Sequence, residues 1–426
     1  MFREIERCRV CGNTNLTLVL DLGWQCLTGW FPKSPTERVE QMPLQLVKCM
    51  EESNPRNCGL LQLKHTFSLD KLYGENYGYR SGLNTAMVAH LNNKARQAIQ
   101  LVPLKPGDLV VDIGSNDGTL LQAYPQEDLS LLGIDPTGEK FRSFYPEHIN
   151  LIADFFSAAA VRSVTGNKRA KIVTSVAMFY DLEDPLSFMR QIREILDDEG
   201  VWVFEQSYMP RMLAMNSYDT VCHEHLEYYA LKQIRFMVER AGLKIAAVDF
   251  NEINGGSFSV VAAKQESPIA ADIKKIAAVL QAEIEAGLDS ERPYREFNHR
   301  VNQRRDELCV FLEAAAQNGQ KTLGYGASTK GNVILQFCRI HPRLLPCIAE
   351  VNSNKFGAYT PGTGIPIVSE QEAKAMQPDC FLVLPWHFRS NITARERSFL
   401  AEGGKLLFPL PTLEVISLHG SKPQPH

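Results

Sequence analysis

The sequence carries no excess of either charge. Its 45 Lys and Arg stand against 49 Asp and Glu, a net charge of −4, so no overall field would draw the chain to nucleic acid. It lacks the run of about eighteen consecutive apolar residues that a membrane-crossing helix needs. No secretory leader is expected, since the opening Met-Phe-Arg-Glu-Ile-Glu-Arg-Cys-Arg puts charges where an apolar centre belongs. These absences predict a cytoplasmic chain with neither nucleic acid nor membrane as a partner. No repeat of solenoid period and no low-complexity tract interrupts the 426 residues. At about 150 residues per domain they leave room for two or three globular units.

Cysteine is ordinary in number, ten in the chain, but not in position. Cys8 and Cys11 form a Cys-x2-Cys knuckle, and Cys49 and Cys58 make a second, looser pair after a gap of 37 residues. In a reducing compartment this is a metal pattern before it is a disulfide pattern. Four thiolates meet the demand of a closed tetrahedral zinc site, which leaves no open position and so serves structure rather than chemistry. The surrounding segment suits that role. Pro32, Pro35, Pro43 and Pro55 interrupt strand-like runs at 16–22 and 44–48, leaving too little apolar pattern for a core of its own.

From residue 83 the pattern changes. Apolar residues recur at helical spacing over 83–101, and strands are expected at 109–113, 130–135, 171–176 and 201–205, separated by helical stretches such as 185–196. That alternation is the βαβ rhythm of a parallel sheet. A helix at 234–241 and strands at 243–250 and 258–263 would close it. Residues 267–318 are charged and helical, broken near 287–293, and form the natural boundary between two units. Beyond them, strands at 321–325, 345–351 and 380–384 predict a second, smaller parallel sheet. The expected division is 1–72 for a zinc-binding domain, 73–266 for an α/β domain, and 267–426 for a helical linker with a C-terminal Rossmann-like domain.

Three strand ends of the α/β domain carry acids. Asp112-Ile-Gly114-Ser-Asn116-Asp117-Gly118 follows the first strand, and its glycines let backbone approach a ligand at the carboxyl edge of the sheet. No lysine follows the last glycine, so the loop is not a P-loop, and Ser115 and Asn116 break a dinucleotide fingerprint. Asp135 ends the second strand, where a carboxylate accepts two ribose hydroxyls. Asp154 and Phe155 follow the third, suited to the edge and face of an adenine.

Asp219-Thr-Val-Cys222-His223-Glu224-His225-Leu-Glu227-Tyr228-Tyr229 concentrates imidazoles and carboxylates. Histidine titrates near neutrality and takes a proton from a carbon acid, while a neighbouring carboxylate sets its tautomer. His223 and His225 are two residues apart, not the helical turn of a His-Glu-x-x-His metal site. Two further features accompany this segment. Tyr73, Tyr77, Tyr79 and Arg80 make a candidate lid, and the glycine turn from Gly324 to Asn332, with Lys330 at a helix start, suits an anion such as a diphosphate.

The three acidic strand ends resemble those of the class I S-adenosylmethionine-dependent methyltransferases. In their order along the chain, the blocks resemble one family, the three-domain C-methyltransferases that act on nucleotide-linked 4-keto-deoxyhexoses. The blocks are the four-cysteine segment ending in Cys58-Gly-Leu-Leu-Gln-Leu63, the Tyr- and Ser-containing segment, the Asp112 to Gly118 loop, His223-Glu224-His225 followed by aromatics, Gly255-Gly256-Ser257, and the Gly326 to Asn332 turn.

The resemblance implies a class I α/β fold between a zinc-binding and a Rossmann-like domain. It implies a structural zinc on Cys8, Cys11, Cys49 and Cys58, and S-adenosylmethionine against Asp112, Gly114, Asn116, Asp117, Gly118, Asp135, Asp154 and Phe155. It implies a nucleotide-linked ketosugar held by Tyr228, Lys330 and Asn332. His225 is the implied base, Glu224 and His223 its orienting neighbours, and Tyr77 or Tyr79 a donor to the enolate oxygen. The chain departs from the family pattern in three places. Met50 to Asn57 widens the second cysteine pair, Cys222 stands where members carry tyrosine, and Ala177-Met-Phe179-Tyr180-Asp181 stands where they carry histidine. An O- or N-methyltransferase on a nucleotide sugar, and a non-catalytic nucleotide-sugar-binding protein, stay open on the sequence alone.

Overall fold

The structure, a computed structural model, describes residues 2–51, 54, 56–68, 79–125 and 128–418. Tyr73 and Tyr77 of the candidate lid lie outside the described residues. The N-terminal segment builds antiparallel strands β1 (Leu16–Cys26), β2 (Gln41–Cys49) and β3 (Leu61–Leu63). It has no separate core. Leu20, Leu44 and Leu63 share one apolar cluster with Phe297, Leu323 and Val333, while Cys8, Cys49 and Leu60 share another with Phe179, Tyr229 and Ile234. Both of its apolar faces are therefore buried against later parts of the chain, which is how so broken a segment avoids exposing them.

The middle of the chain opens with α1 (Thr85–Leu101), whose N-terminal amides are capped by the Asn84 side chain. There follow β4 (Leu109–Ile113), β5 (Ser130–Ile134), β6 (Ile149–Ile152), β7 (Ala170–Val176), α2 (Pro185–Ile195), β8 (Leu196–Ser207), β9 (Glu227–Tyr228), α3 (Leu231–Arg240), β10 (Leu243–Asn251) and β11 (Ser257–Lys264). Seven of these strands make one sheet in the order β10-β11-β8-β7-β4-β5-β6, parallel from β8 to β6, with β11 antiparallel to both neighbours. This is the class I methyltransferase arrangement. The chain order reverses between β4 and β7, so their carboxyl ends open the crevice in which such sheets bind ligands. Strand β9 instead joins the N-terminal sheet, pairing Glu227 with Gln62 and Tyr228 with Leu61 on β3.

Two helices, α4 (Ile273–Glu285) and α5 (Arg292–Gln317), fill the charged stretch. They are packed rather than free. Helix α4 lies on α3 and β10, and α5 on β1 and the following strand β12 (Thr322–Tyr325), burying Tyr294, Phe297, Val301, Leu308 and Leu312. Buried Glu283 of α4 caps α3, accepting from the amides of Leu231 and Lys232 at 2.7 and 2.9 Å and from the Tyr208 hydroxyl at 2.8 Å.

After β12 come α6 (Thr329–Phe337), β13 (Ile348–Glu350), β14 (Ile367–Ser369), β15 (Cys380–Val383), β16 (Lys405–Phe408) and β17 (Glu414–Ile416). Their order, β14-β13-β12-β15-β16-β17, is that of a Rossmann sheet with its last strand antiparallel. The sequence pattern shows three of these six strands, β12, β13 and β15, which are buried throughout; the equally short β14, β16 and β17 each have exposed or half-exposed positions. Among the described residues no helix is long and apolar enough to cross a membrane.

Candidate active site

The carboxyl edge of β4 leads into the acidic turn. Asp112 is buried, accepts from the Thr174 hydroxyl at 2.6 Å, and is pushed up to about 7 by burial. Gly114 and Gly118 have φ of +74° and +76°, and a side chain at Gly118 would strike the Tyr145 ring at 3.0 Å. Asp135 anchors this turn to the next strand. Its Oδ2 accepts from the Asn116 amide at 2.8 Å, and its Oδ1 from the amide and hydroxyl of Thr137 at 2.7 and 2.5 Å. A carboxylate has about four acceptor positions, so one remains, on Oδ2.

The end of the candidate lid lies along the same turn. The amides of Ser81 and Gly82 donate to Asn116 Oδ1 and Asp117 Oδ2 at 2.9 Å each, and the Tyr79 carbonyl accepts from Asn116 Nδ2 at 3.2 Å. Tyr79 is thus placed by the acidic turn, not beside His225. Asp154 and Phe155 are exposed beyond the end of β6.

The His-Glu-His segment divides its two imidazoles between different surroundings. His223 is fully buried among N-terminal residues, edge-on to Phe67 at 4.8 Å, with Nε2 donating to the Met42 carbonyl at 3.3 Å. Burial pushes it down to about 4. His225 instead lines a small cavity with Tyr180, Ser207, Met209, Thr220 and Tyr228. Its Nδ1 donates to the Thr220 carbonyl at 2.8 Å, and its ring lies 4.4 Å from that of Tyr180. Burial, then the nearby charge of Lys330, pushes it down to about 4. Tyr228 directs its hydroxyl to the same Thr220 carbonyl at 3.4 Å. Glu224 lies against Gly29 of the N-terminal domain, and burial raises its carboxyl above the usual range.

The C-terminal domain closes this region from the other side. Lys330, in the first turn of α6, donates to the Asn254 carbonyl at 3.2 Å, and the Trp386 indole donates to Asp219 Oδ2 at 2.8 Å. Asn332 is buried and donates to the Thr28 carbonyl at 2.7 Å, tying α6 to the N-terminal loop rather than facing open space.

Cys8, Cys11, Cys49 and Cys58 converge, with all four sulfurs within 4.8 Å of one another and two pairs 3.5 Å apart. A tetrahedral zinc with Zn–S bonds of about 2.3 Å sets its sulfurs about 3.8 Å apart, so the cluster fits the ion. No disulfide joins them.

Comparison with known proteins gives three consecutive family matches: a zinc binding domain at 8–73, a methyltransferase domain at 87–248, and a C-methyltransferase C-terminal domain at 252–411. The C-methyltransferase NovU of Streptomyces niveus is 29% identical over 421 residues, 97% of this chain and 98% of its own. The chain carries these three domains in the order of a three-domain C-methyltransferase.

The enzyme is therefore S-adenosylmethionine-dependent, with a zinc-binding N-terminal domain. Among solved structures, the CcbJ methyltransferase of Streptomyces caelestis is 14% identical, over 41% of this chain and 89% of its own, at a TM-score of 0.32. An S-adenosylmethionine-dependent methyltransferase of Mesorhizobium loti is 15% identical, over 40% and 99%, at 0.32.

Three residues of this C-methyltransferase stand beside His225 or its segment without having drawn attention as site residues: Tyr180, Asp219 and Trp386. Each had a weak signal. Tyr180 and Trp386 follow the ends of the parallel strands β7 and β15, the edge at which open α/β sheets place their functional groups. Asp219 opens the densest polar segment in the sequence.

Proposed function

We propose that this enzyme methylates the carbon beside the keto group of a nucleotide-linked deoxysugar, by way of an enolate. The observation that carries the reading is the hydrogen bond between His225 Nδ1 and the Thr220 carbonyl. A carbonyl only accepts, so Nδ1 holds the proton and Nε2 keeps its lone pair, on a ring that lines the cavity. A keto group acidifies the neighbouring C–H, and Nε2 is the base that takes the proton. Burial keeps the imidazole neutral at pH 7 and so able to accept it. The contact with Tyr180 sets the ring plane.

S-adenosylmethionine supplies an electrophilic methyl group, which leaves the protein the tasks of generating the carbanion and aligning the partners. The acidic turn at Asp112, Gly114, Asn116, Asp117 and Gly118 would hold its methionine end, with Asp135 accepting from the ribose and Asp154 and Phe155 facing the adenine. In this reading residues 1–72, 73–266 and 267–426 serve as zinc-binding, cofactor-binding and substrate-binding units. Tyr228 and Asn332 shape the substrate site through the hydrogen bonds described above, and Glu224 and His223 position His225.

Replacing His225 tests the proposal. His225→Ala should keep S-adenosylmethionine affinity but cut turnover by about 10²–10⁴-fold, the usual worth of a general base. It should also abolish deuterium uptake at the methylated carbon in heavy water. Exchange that survives while methylation is lost would move the base elsewhere, and normal turnover would sink the assignment.

A further inference from the structure

The glycine turn before α6 suggests, on sequence alone, that Lys330 grips a diphosphate. Its position in the fold points elsewhere. Its ammonium group crosses from the C-terminal domain to the Asn254 carbonyl, in the turn that leads through Gly256 to β11. Gly256 in turn accepts from the Tyr208 amide at 3.1 Å, next to Ser207 of the His225 cavity.

An ammonium group carries three donors. Among the described residues, Lys330 has that one carbonyl as acceptor and no carboxylate within ion-pair distance. Two donors are left over at a half-buried position, available to a ligand. The groups around it are Asp219, Cys222, His225 and His387. Burial, and after it the Lys330 charge, pushes both imidazoles down, to about 4 and about 3, and the same charge is felt by Asp219. Among the described residues, His387 Nδ1 and Asp219 Oδ1 are buried without partners, so each domain contributes an unsatisfied polar atom near this lysine. In the cavity wall Tyr228 and Thr220 direct their hydroxyls to the Thr220 and Ser217 carbonyls, Met209 and Met212 have no donor, and the hydroxyls of Ser207 and Tyr180 are the others present.

We propose that Lys330 is a catalytic residue, donating a hydrogen bond to the sugar keto oxygen and stabilising the enolate that His225 generates. The inference rests on the ketosugar reading above. In this step the C–H bond breaks, the proton goes to His225 Nε2, and the electron pair moves through the new C=C bond onto oxygen. Lys330 keeps its protons and holds the oxyanion, the kind of stabilisation that is largest in an enclosed site.

The test uses the full-length protein without S-adenosylmethionine and a thymidine-diphosphate-linked 4-keto-6-deoxyhexose, following deuterium uptake beside the ketone. Lys330→Met should slow exchange at saturating ketosugar by about 10²–10³-fold, the cost of losing an oxyanion donor. It should weaken ketosugar binding by less than about tenfold. The apparent pKa of the acid limb of exchange should rise, because the cation that opposes protonation of His225 is gone, and Lys330→Arg should restore part of the rate. Retained zinc and S-adenosylmethionine binding show that each variant is folded; if Lys330→Met does not fold, Lys330→Gln takes its place. Unchanged saturating exchange with binding weakened about a hundredfold would make Lys330 a diphosphate ligand and overturn the inference. Exchange by the unaltered protein and equally by the variant overturns it too. No exchange by the unaltered protein would overturn the ketosugar reading itself, and this inference with it.

Discussion

The Trp386 indole donates to the Asp219 carboxylate at 2.8 Å across the junction of the C-terminal and methyltransferase domains, and both side chains are buried. Asp219 precedes Thr220, whose carbonyl holds His225 Nδ1. On the other side of the same segment, Glu227 and Tyr228 pair with β3 of the N-terminal domain. His225 therefore takes its position from contacts with all three parts of the chain.

Trp386→Phe should keep the ring packing and remove the donor. Among the described residues Asp219 Oδ1 already lacks a partner, so the variant leaves a buried carboxyl group with neither oxygen satisfied by a described side chain. The expected loss is about 1–3 kcal/mol of stability, the desolvation cost of such a group. Urea unfolding measures it. An unchanged midpoint would mean that water replaces the indole.

His223 predicts a pH effect. Its imidazole falls from the usual 6.5 to about 4 on burial, so its contribution is present above pH 6.5 and lost as pH falls through about 4. The unfolded state binds the proton first, and stability must decline across that window. His223→Gln should make the decline shallower by an amount of order 3 kcal/mol. His225 and His387 titrate in the same direction, to about 4 and about 3, so the slope shrinks without vanishing. Thermal unfolding from pH 7 to 4 reads it directly.

Asp135→Ala should weaken S-adenosylmethionine binding by about 1.5–3 kcal/mol, the range for hydrogen bonds to a charged group. The same change frees the Asn116 amide and the Thr137 side chain, so a loss of stability should accompany it. Calorimetry that finds unaltered affinity in the alanine variant would place the ribose elsewhere.

Elemental analysis should find about one zinc per chain on the four cysteines. Removing it with a chelator should lower stability and also disturb the methyltransferase domain. The reason is that Gln233 of α3 donates to the Cys58 and Gly59 carbonyls at 3.0 and 3.1 Å, beside the β3–β9 pairing. A fully folded, metal-free protein would refute the site.

The acids after β4 and β5, the four cysteines and the dense histidine segment are legible in the sequence because each is local: a strand period, a turn glycine or a short spacing defines it. The parallel run of the larger sheet follows from the same βαβ rhythm. Which histidine meets the cavity is not legible, because His223 and His225 differ only in what folds against them, Phe67 and Met42 for one and Tyr180 and Thr220 for the other. Nor does any local pattern reveal that Asn332 binds Thr28, 304 residues away, or that Trp386 binds Asp219. The strands β14, β16 and β17 escape because each is partly exposed, whereas the equally short β12, β13 and β15 are buried throughout. Residue chemistry and spacing determined the fold class and the groups available for catalysis. Long-range packing of the three parts of the chain against one another decided which of those groups share a site.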